Sequence, residues 1–156
     1  MNTYFSLALS ILLSLAAGAI GSVFTYSEIP TWYASLVRPD IAPPNWIFGP
    51  VWTTLYILMG TAAWLVWKAD AVRTAKRRAL LVYALQLALN TLWSFIFFGM
   101  HALGLALVEI CALWLAIAAT IYFFYPISRT AASLLVPYIA WVSFASFLNY
   151  TLWMMN

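Results

Sequence analysis

The charged residues fall in a few clusters separated by long uncharged stretches, and this spacing constrains the fold more than any other feature. No Asp, Glu, Lys or Arg precedes Glu28, lies between Asp40 and Lys68, or follows Arg129; between Arg78 and Arg129 only Glu109 and His101 interrupt. A bilayer core takes about 20 consecutive apolar residues as one helix. Five spans are therefore predicted, at Tyr4–Phe24, Ile47–Trp67, Ala79–Met100, Leu103–Phe124 and Thr130–Trp153. With 66% apolar and 7% charged residues, the chain lacks the polar surface of a soluble domain, where about 25% of residues are charged. Membrane strands would alternate polar and apolar residues in segments of about ten, a pattern not seen here. The predicted fold is an all-α integral membrane protein, a single domain built as a five-helix transmembrane bundle.

Five helices place the termini on opposite sides. The loop after the second span carries Lys68, Arg73, Lys76, Arg77 and Arg78, and the loop after the fourth adds Arg129; the other side has only Arg38. This asymmetry puts the N-terminus in the cytoplasm and the C-terminus outside. The sequence pI near 9.2 then reflects topology, and one short basic loop does not make a nucleic-acid face. Ala17-Gly18-Ala19 resembles a signal-peptidase site, yet no basic residue precedes the apolar run, so a retained first helix is expected. The single Cys111 forms no internal disulfide and reads as a small apolar side chain.

One long connection, Thr25 to Asn45, contains Glu28, Pro30, Trp32, Tyr33, Leu36, Arg38, Pro39, Pro43 and Pro44. Prolines and aromatics in so long a loop fit a folded cap over one mouth of the bundle. They equally fit an aromatic belt, with Trp32, Tyr33 and Trp46 anchored among headgroups. Within the spans, Tyr83, Gln86, Asn90, Trp93 and Ser94 share one helical face, as do Tyr138, Trp141, Ala145, Asn149 and Trp153, and Trp52 with Tyr56 and Ala63. Aromatic rings with one or two hydrogen-bonding groups from three helices make a small-molecule site. The competing explanation is that Gln86, Asn90 and Asn149 join neighbouring helices. Ser10, Ser14, Gly18 and Ser22 form a small-residue stripe suited to close helix packing, within the bundle or against a second copy.

Four blocks in order carry a family resemblance. They are Trp32-Tyr33; the run Pro43-Pro44-Asn45-Trp46-Ile47-Phe48-Gly49-Pro50-Val51-Trp52-Thr53-Thr54-Leu55-Tyr56 with Met59-Gly60; Leu85-Gln86-Leu87-Ala88-Leu89-Asn90 with Trp93-Ser94; and Pro137-Tyr138 with Trp141, Phe144-Ala145 and Leu148-Asn149. The chain resembles the translocator protein family of tryptophan-rich sensory proteins and peripheral-type benzodiazepine receptors. The resemblance implies a five-helix bundle, often a homodimer, that binds porphyrins and related tetrapyrroles. It implies a pocket open toward the long loop, lined by Trp32, Tyr33, Trp46, Trp52, Asn90, Trp93, Trp141 and Ala145, with Tyr56, Tyr138 and Asn149 on the same stripes. Arg38, the one basic residue at that mouth, is the candidate partner for a propionate.

The expected function is membrane binding of a protoporphyrin- or haem-type tetrapyrrole, in sensing or regulation of tetrapyrrole metabolism. The tetrapyrrole is a ligand, with no cofactor required and no metal site expected. A second reading, light- and oxygen-dependent porphyrin breakdown, would use Trp52 and Trp141 as electron donors. A third is a transporter of porphyrins or other flat apolar molecules; the odd helix number and absence of a visible inverted repeat weigh against it. His101 is either a surface residue or an axial haem ligand, and Glu109 either snorkels, faces a second copy, or relays protons. No basic residue follows Tyr138 or Tyr150, so cholesterol handling is not supported; Arg78, Tyr83 and Leu85 fit only the weak reversed motif. The short uncharged N-terminus points to a bacterial plasma membrane.

Overall fold

The computed structural model describes residues 3–156. Among them, five helical segments are long and apolar enough to cross a membrane, and no strand is present. In chain order, α1 spans Thr3–Thr25, α2 Asn45–Lys68, α3 Arg73–Ser94, α4 Leu103–Phe124, α5 Arg129–Leu134 and α6 Val136–Met155. α3 runs on through a π-helical turn, Phe95–Gly99, and α5 with α6 makes the fifth span.

Two boundaries differ from the sequence expectation for physical reasons. The third helix begins at Arg73 rather than Ala79, because Arg and Lys are good helix formers and their long side chains keep the charge in water while the backbone continues as helix. The fifth span is interrupted at Leu135 (φ −90°, ψ −8°). Pro137 lacks the N–H of a continuous helix but fits the first turn of a new one. Ser128 caps the short α5 by accepting from the Ala131 N–H at 3.2 Å.

Packing of α1 settles the role of its small residues. Ser10 donates to the Gly60 carbonyl at 2.7 Å, and Ser14 and Tyr83 hydroxyls lie 2.6 Å apart. A Cβ on Gly60 would fall 2.6 Å from Ile11 Cα, so α1 and α2 cross with backbones almost touching. Gly18 likewise leaves room for the Tyr56 ring. The stripe Ser10, Ser14 and Gly18 is thus consumed within the bundle.

Two hydrophobic clusters result. One, around Met59, Ala62, Val66, Ala79, Ile117, Phe124 and Ala131, fills the bundle toward the α2–α3 turn. The other joins Tyr33 to Ile96, Phe97, Phe98, Ala106, Leu148 and Leu152 at the opposite end. The long connection is folded there: a π-helical turn at Ile29–Tyr33 buries Tyr33 to 3% exposure. Trp32 packs edge-on to Phe97 and lies flat on His101, centroids 4.2 Å apart at 11°. His101, at φ 54°, brings Nε2 within 2.9 Å of Glu28 Oε2. Asn156 holds the Val37 backbone at both polar atoms, accepting at 2.9 Å and donating at 3.0 Å. Cap and belt therefore divide the loop: Trp32 and Tyr33 build the cap, whereas Trp46 is 74% exposed, as headgroup anchoring requires.

Candidate ligand site

Beneath the cap lies a cavity of about 410 Å³. α2 contributes Phe48, Trp52 and Tyr56; α3 and its π turn contribute Asn90, Trp93, Ser94, Phe97 and Phe98. α6 adds Trp141, Ala145, Leu148, Asn149 and Leu152; Tyr33 closes the cap side; and α1 supplies Gly18, Ala19, Gly21, Ser22 and Thr25. Small side chains from one helix thus face large flat ones from three others, which leaves a slot rather than a filled core.

The rings support one another. Trp93 stacks on Phe97 at 4.7 Å, Trp52 tilts over Tyr56 at 5.7 Å, and Trp141 meets Phe48 edge-on at 6.2 Å. A chain of hydrogen bonds runs from the wall into the bundle. The Tyr56 hydroxyl donates to Asn90 Oδ1, Asn90 Nδ2 donates to the Tyr138 hydroxyl at 2.9 Å, and that hydroxyl donates to Gln86 Oε1 at 2.9 Å. Trp93 Nε1 donates to Asn149 Oδ1 at 3.2 Å, and Asn149 Nδ2 donates to the Leu103 carbonyl at 2.9 Å. All three amides therefore join helices, and the bonds hold two wall rings, Tyr56 and Trp93, while Trp52 and Trp141 are held by ring contacts. Such bonds contribute about 1 kcal/mol or less each in a bilayer, but they leave little freedom of ring orientation.

The structure brings Tyr33, Trp52, Tyr56, Asn90, Trp93, Trp141, Ala145 and Asn149 to the cavity wall. Four sequence candidates lie elsewhere. Tyr138 is fully buried behind Trp52, 6.3 Å away, and acts as a support. Trp32 belongs to the cap's contact with His101, and Trp46 stands out toward the membrane surface. Arg38 lies over the Tyr33 ring at 5.5 Å and donates from Nη1 to Asn45 Oδ1 at 3.3 Å, so Tyr33 stands between it and the cavity. His101 is likewise part of the cap, paired with Glu28. Glu109 faces into the bundle at 7% exposure, and neither of its oxygens has a hydrogen-bond partner among the described residues; it does not snorkel.

Other wall residues were missed by the sequence reading although a signal existed. Continuing the α3 stripe by four from Trp93 and Ser94 reaches Phe97 and Phe98. The α1 stripe was read only as a packing surface, yet Gly18 and Ser22 line the cavity. Tyr33 lines the cap side, and the exposed lining residues are Ala19, Ser22 and Tyr26 on one side and Gly49 and Thr53 on the other, so the exposed rim runs from Tyr26 in the long connection down between α1 and α2.

Chemically the wall offers aromatic faces, hydroxyls and amides; its only ionisable side chains are tyrosines. Burial pushes the Tyr33 phenol pKa up, with the Arg38 charge and the approach of its guanidinium to the phenol oxygen opposing. The Tyr33 hydroxyl is the one buried side-chain oxygen of the wall with no partner inside 3.5 Å among the described residues, Arg38 being the donor that approaches it.

A capped five-helix bundle with an aromatic slot between its helices defines an α-helical integral membrane protein with an internal apolar cavity. The chain belongs to the TspO/MBR family, whose family model matches residues 10–154. It is 45% identical to the tryptophan-rich protein TspO of Chlorobaculum tepidum over 155 residues, covering 97% of this chain and 96% of that one. It is 46% identical to the human translocator protein over 138 residues, 88% of this chain and 82% of the relative. The tryptophan-rich sensory protein of Cereibacter sphaeroides is 37% identical over 156 residues, 100% of this chain and 95% of that one.

Proposed function

We propose that the protein binds a flat, apolar tetrapyrrole of the protoporphyrin or haem type in the cavity beneath the cap and acts in sensing or regulation of tetrapyrrole metabolism. The observation that carries this reading is the slot itself: opposed aromatic walls held by ring contacts and hydrogen bonds, with one spare hydroxyl at Tyr33. Aromatic faces pack against a planar macrocycle, and a buried hydroxyl lacking a partner is a ready hydrogen-bonding group for a bound molecule. Trp52, Trp93 and Trp141 would contact the macrocycle, and Arg38 would meet a carboxylate only if it swung past Tyr33. The reading includes a homodimer in a bacterial plasma membrane with the N-terminus cytoplasmic; the six basic residues at one end against Arg38 at the other support that orientation.

A second reading rests on a specific placement: Trp52 and Trp141 line the same cavity. An indole beside a photoexcited porphyrin is an electron donor, so the same site would serve light- and oxygen-dependent porphyrin breakdown. Titrating the detergent-purified protein with protoporphyrin separates the two, using tryptophan quenching in the dark and porphyrin absorbance in the light. Saturable quenching without protein-dependent bleaching supports the binding role. A new product spectrum that disappears in Trp52→Phe/Trp141→Phe moves the assignment to breakdown, and absence of saturable quenching overturns both.

A further inference from the structure

We infer that the end of the bundle opposite the cap carries a binding groove for an acidic phospholipid, seated between the end of α2 and the first turns of α3. The groove is lined by Trp67 on one side and by Arg73, Lys76, Arg77, Leu80 and Leu81 on the other. Arg73 and Arg77, four residues apart, share a helical face. Leu80 and Leu81 follow about one turn further on, roughly 6 Å at 1.5 Å per residue. The surface therefore changes from cationic to apolar along the helix in the same order as a phospholipid changes from phosphate to acyl chain.

Charge accounting supports an external anion. Between Lys68 and Arg78 five cations face one acid, Asp70. The one carboxylate among the described residues within 4 Å of a basic side chain is at the other end, Glu28 beside His101. Two of the five cations are engaged internally: Lys68 lies 4.1 Å over the Trp64 ring, and Lys76 Nζ donates to the Trp67 and Ala69 carbonyls at 3.2 and 3.0 Å. The Lys76 bonds tie the end of α2 to α3 and so set the groove's width. Arg73 and Arg77 are exposed and have no carboxylate partner among the described residues. They also sit in the opening turns of α3, where the helix dipole disfavours cations, so they do not stabilise their own helix. A guanidinium pair presents planar, bidentate donors suited to a phosphate.

The apolar part of the groove selects a lipid over a free phosphate. Trp67 is 48% and Leu81 60% exposed, and Leu85 and Leu92 continue the same outward face down α3 at 55% and 42%. That stripe gives an acyl chain a path from the arginines into the hydrocarbon, which a soluble anion would leave unused. Basic pockets between transmembrane helices are where acidic headgroups bind, at about 1 kcal/mol per cation near the surface.

The test is native mass spectrometry of the delipidated full chain titrated with phosphatidylglycerol or phosphatidylcholine of identical acyl composition. Phosphatidylglycerol is expected to bind about tenfold more tightly or better, a preference lost in Arg73→Gln/Arg77→Gln. It should be weakened but not abolished in Arg73→Lys/Arg77→Lys, which keeps the charge and loses the bidentate donors, and kept in full in Arg129→Gln, which removes a different cation at the same end. Equal binding of the two lipids, or an undiminished preference in the glutamine variant, overturns the proposal. Loss of preference in Arg129→Gln as well shows a diffuse surface charge and overturns the groove. Displacement of the lipid by millimolar glycerol 3-phosphate overturns the lipid in favour of a soluble phosphate. A shift from dimer to monomer in the glutamine variant with no lipid preference in the parent assigns the face to a second copy instead.

Discussion

The two ends of the bundle pack in opposite ways. Toward the α2–α3 turn, Ala62, Ala63, Ala79, Ala131 and Ala132 are buried with Met59, Val66, Ile117 and Phe124, and small residues let the helices close on one another. At the cap end the buried rings Tyr33, Phe97 and Phe98 pack with Ile96, Leu148 and Leu152, and together with the half-buried Trp52, Trp93 and Trp141 the rings border a void. Flexible aliphatic side chains mould themselves into gaps, whereas rigid rings locked by neighbours and hydrogen bonds cannot. The comparison teaches that a cavity survives in this protein because its walls are stiff and braced, not because its residues are few.

The comparison breaks most completely at the closed crossing. Gly60→Val puts a branched side chain where a Cβ would already lie 2.6 Å from Ile11 Cα. Overpacking of this kind costs about 3 kcal/mol, and the variant is expected to lose its monodisperse peak in detergent and its cooperative thermal melt. At the hollow end the same addition of bulk should be harmless to the fold. Ala145→Phe would fill the slot, leaving the melt close to that of the parent while weakening protoporphyrin quenching about tenfold or more, equivalent to about 1.4 kcal/mol. The smallest expected effect is Tyr33→Phe, which preserves shape and removes the spare hydroxyl. Affinity should fall by about 1 kcal/mol if that hydroxyl bonds the ligand. Because burial raises the phenol pKa, the neutral hydroxyl persists across about pH 6 to 9. The Tyr33 contribution is therefore present throughout that window and lost only as strongly alkaline pH removes the proton; a parent-minus-variant difference that changes within the window would contradict this assignment.

Much of this was legible in the sequence because a bilayer converts charge spacing into span number. The start of α3 was not, since four cations read as a loop when counted as charges and as a helix when counted as residues with long stems. Wall residues on a helical stripe with an amide, such as Asn90, Trp93 and Trp141, were legible for a related reason: polar groups at depth face inward, and the rings sharing their face turn in with them. Tyr138 shared the stripe yet lies one layer behind, because helical phase gives direction but not depth. Arg38 and Trp32 depend on how the cap folds, and a π turn, the stacking on His101 and the Asn156 contact are tertiary matters that local pattern does not encode. α1 gave only a stripe of small residues, whose partners are chosen by the rest of the bundle.

The rim between α1 and α2 has a consequence for how any ligand encounters this protein. Ala19 lies six residues before the end of α1 and Thr53 eight after the start of α2, roughly 9 and 12 Å below the helix ends at 1.5 Å per residue. The rim thus runs from the helix ends, at Tyr26 and Gly49, down to hydrocarbon depth at Ala19 and Thr53, beside the cap fastened through Glu28, His101 and Asn156. A molecule entering through the lower part of the rim has already partitioned into the bilayer, so for that route the concentration that governs occupancy is moles per mole of lipid. Dissociation constants expressed per volume of buffer should then scale with the amount of membrane present, and two laboratories using different lipid-to-protein ratios would measure different affinities for one unchanged site.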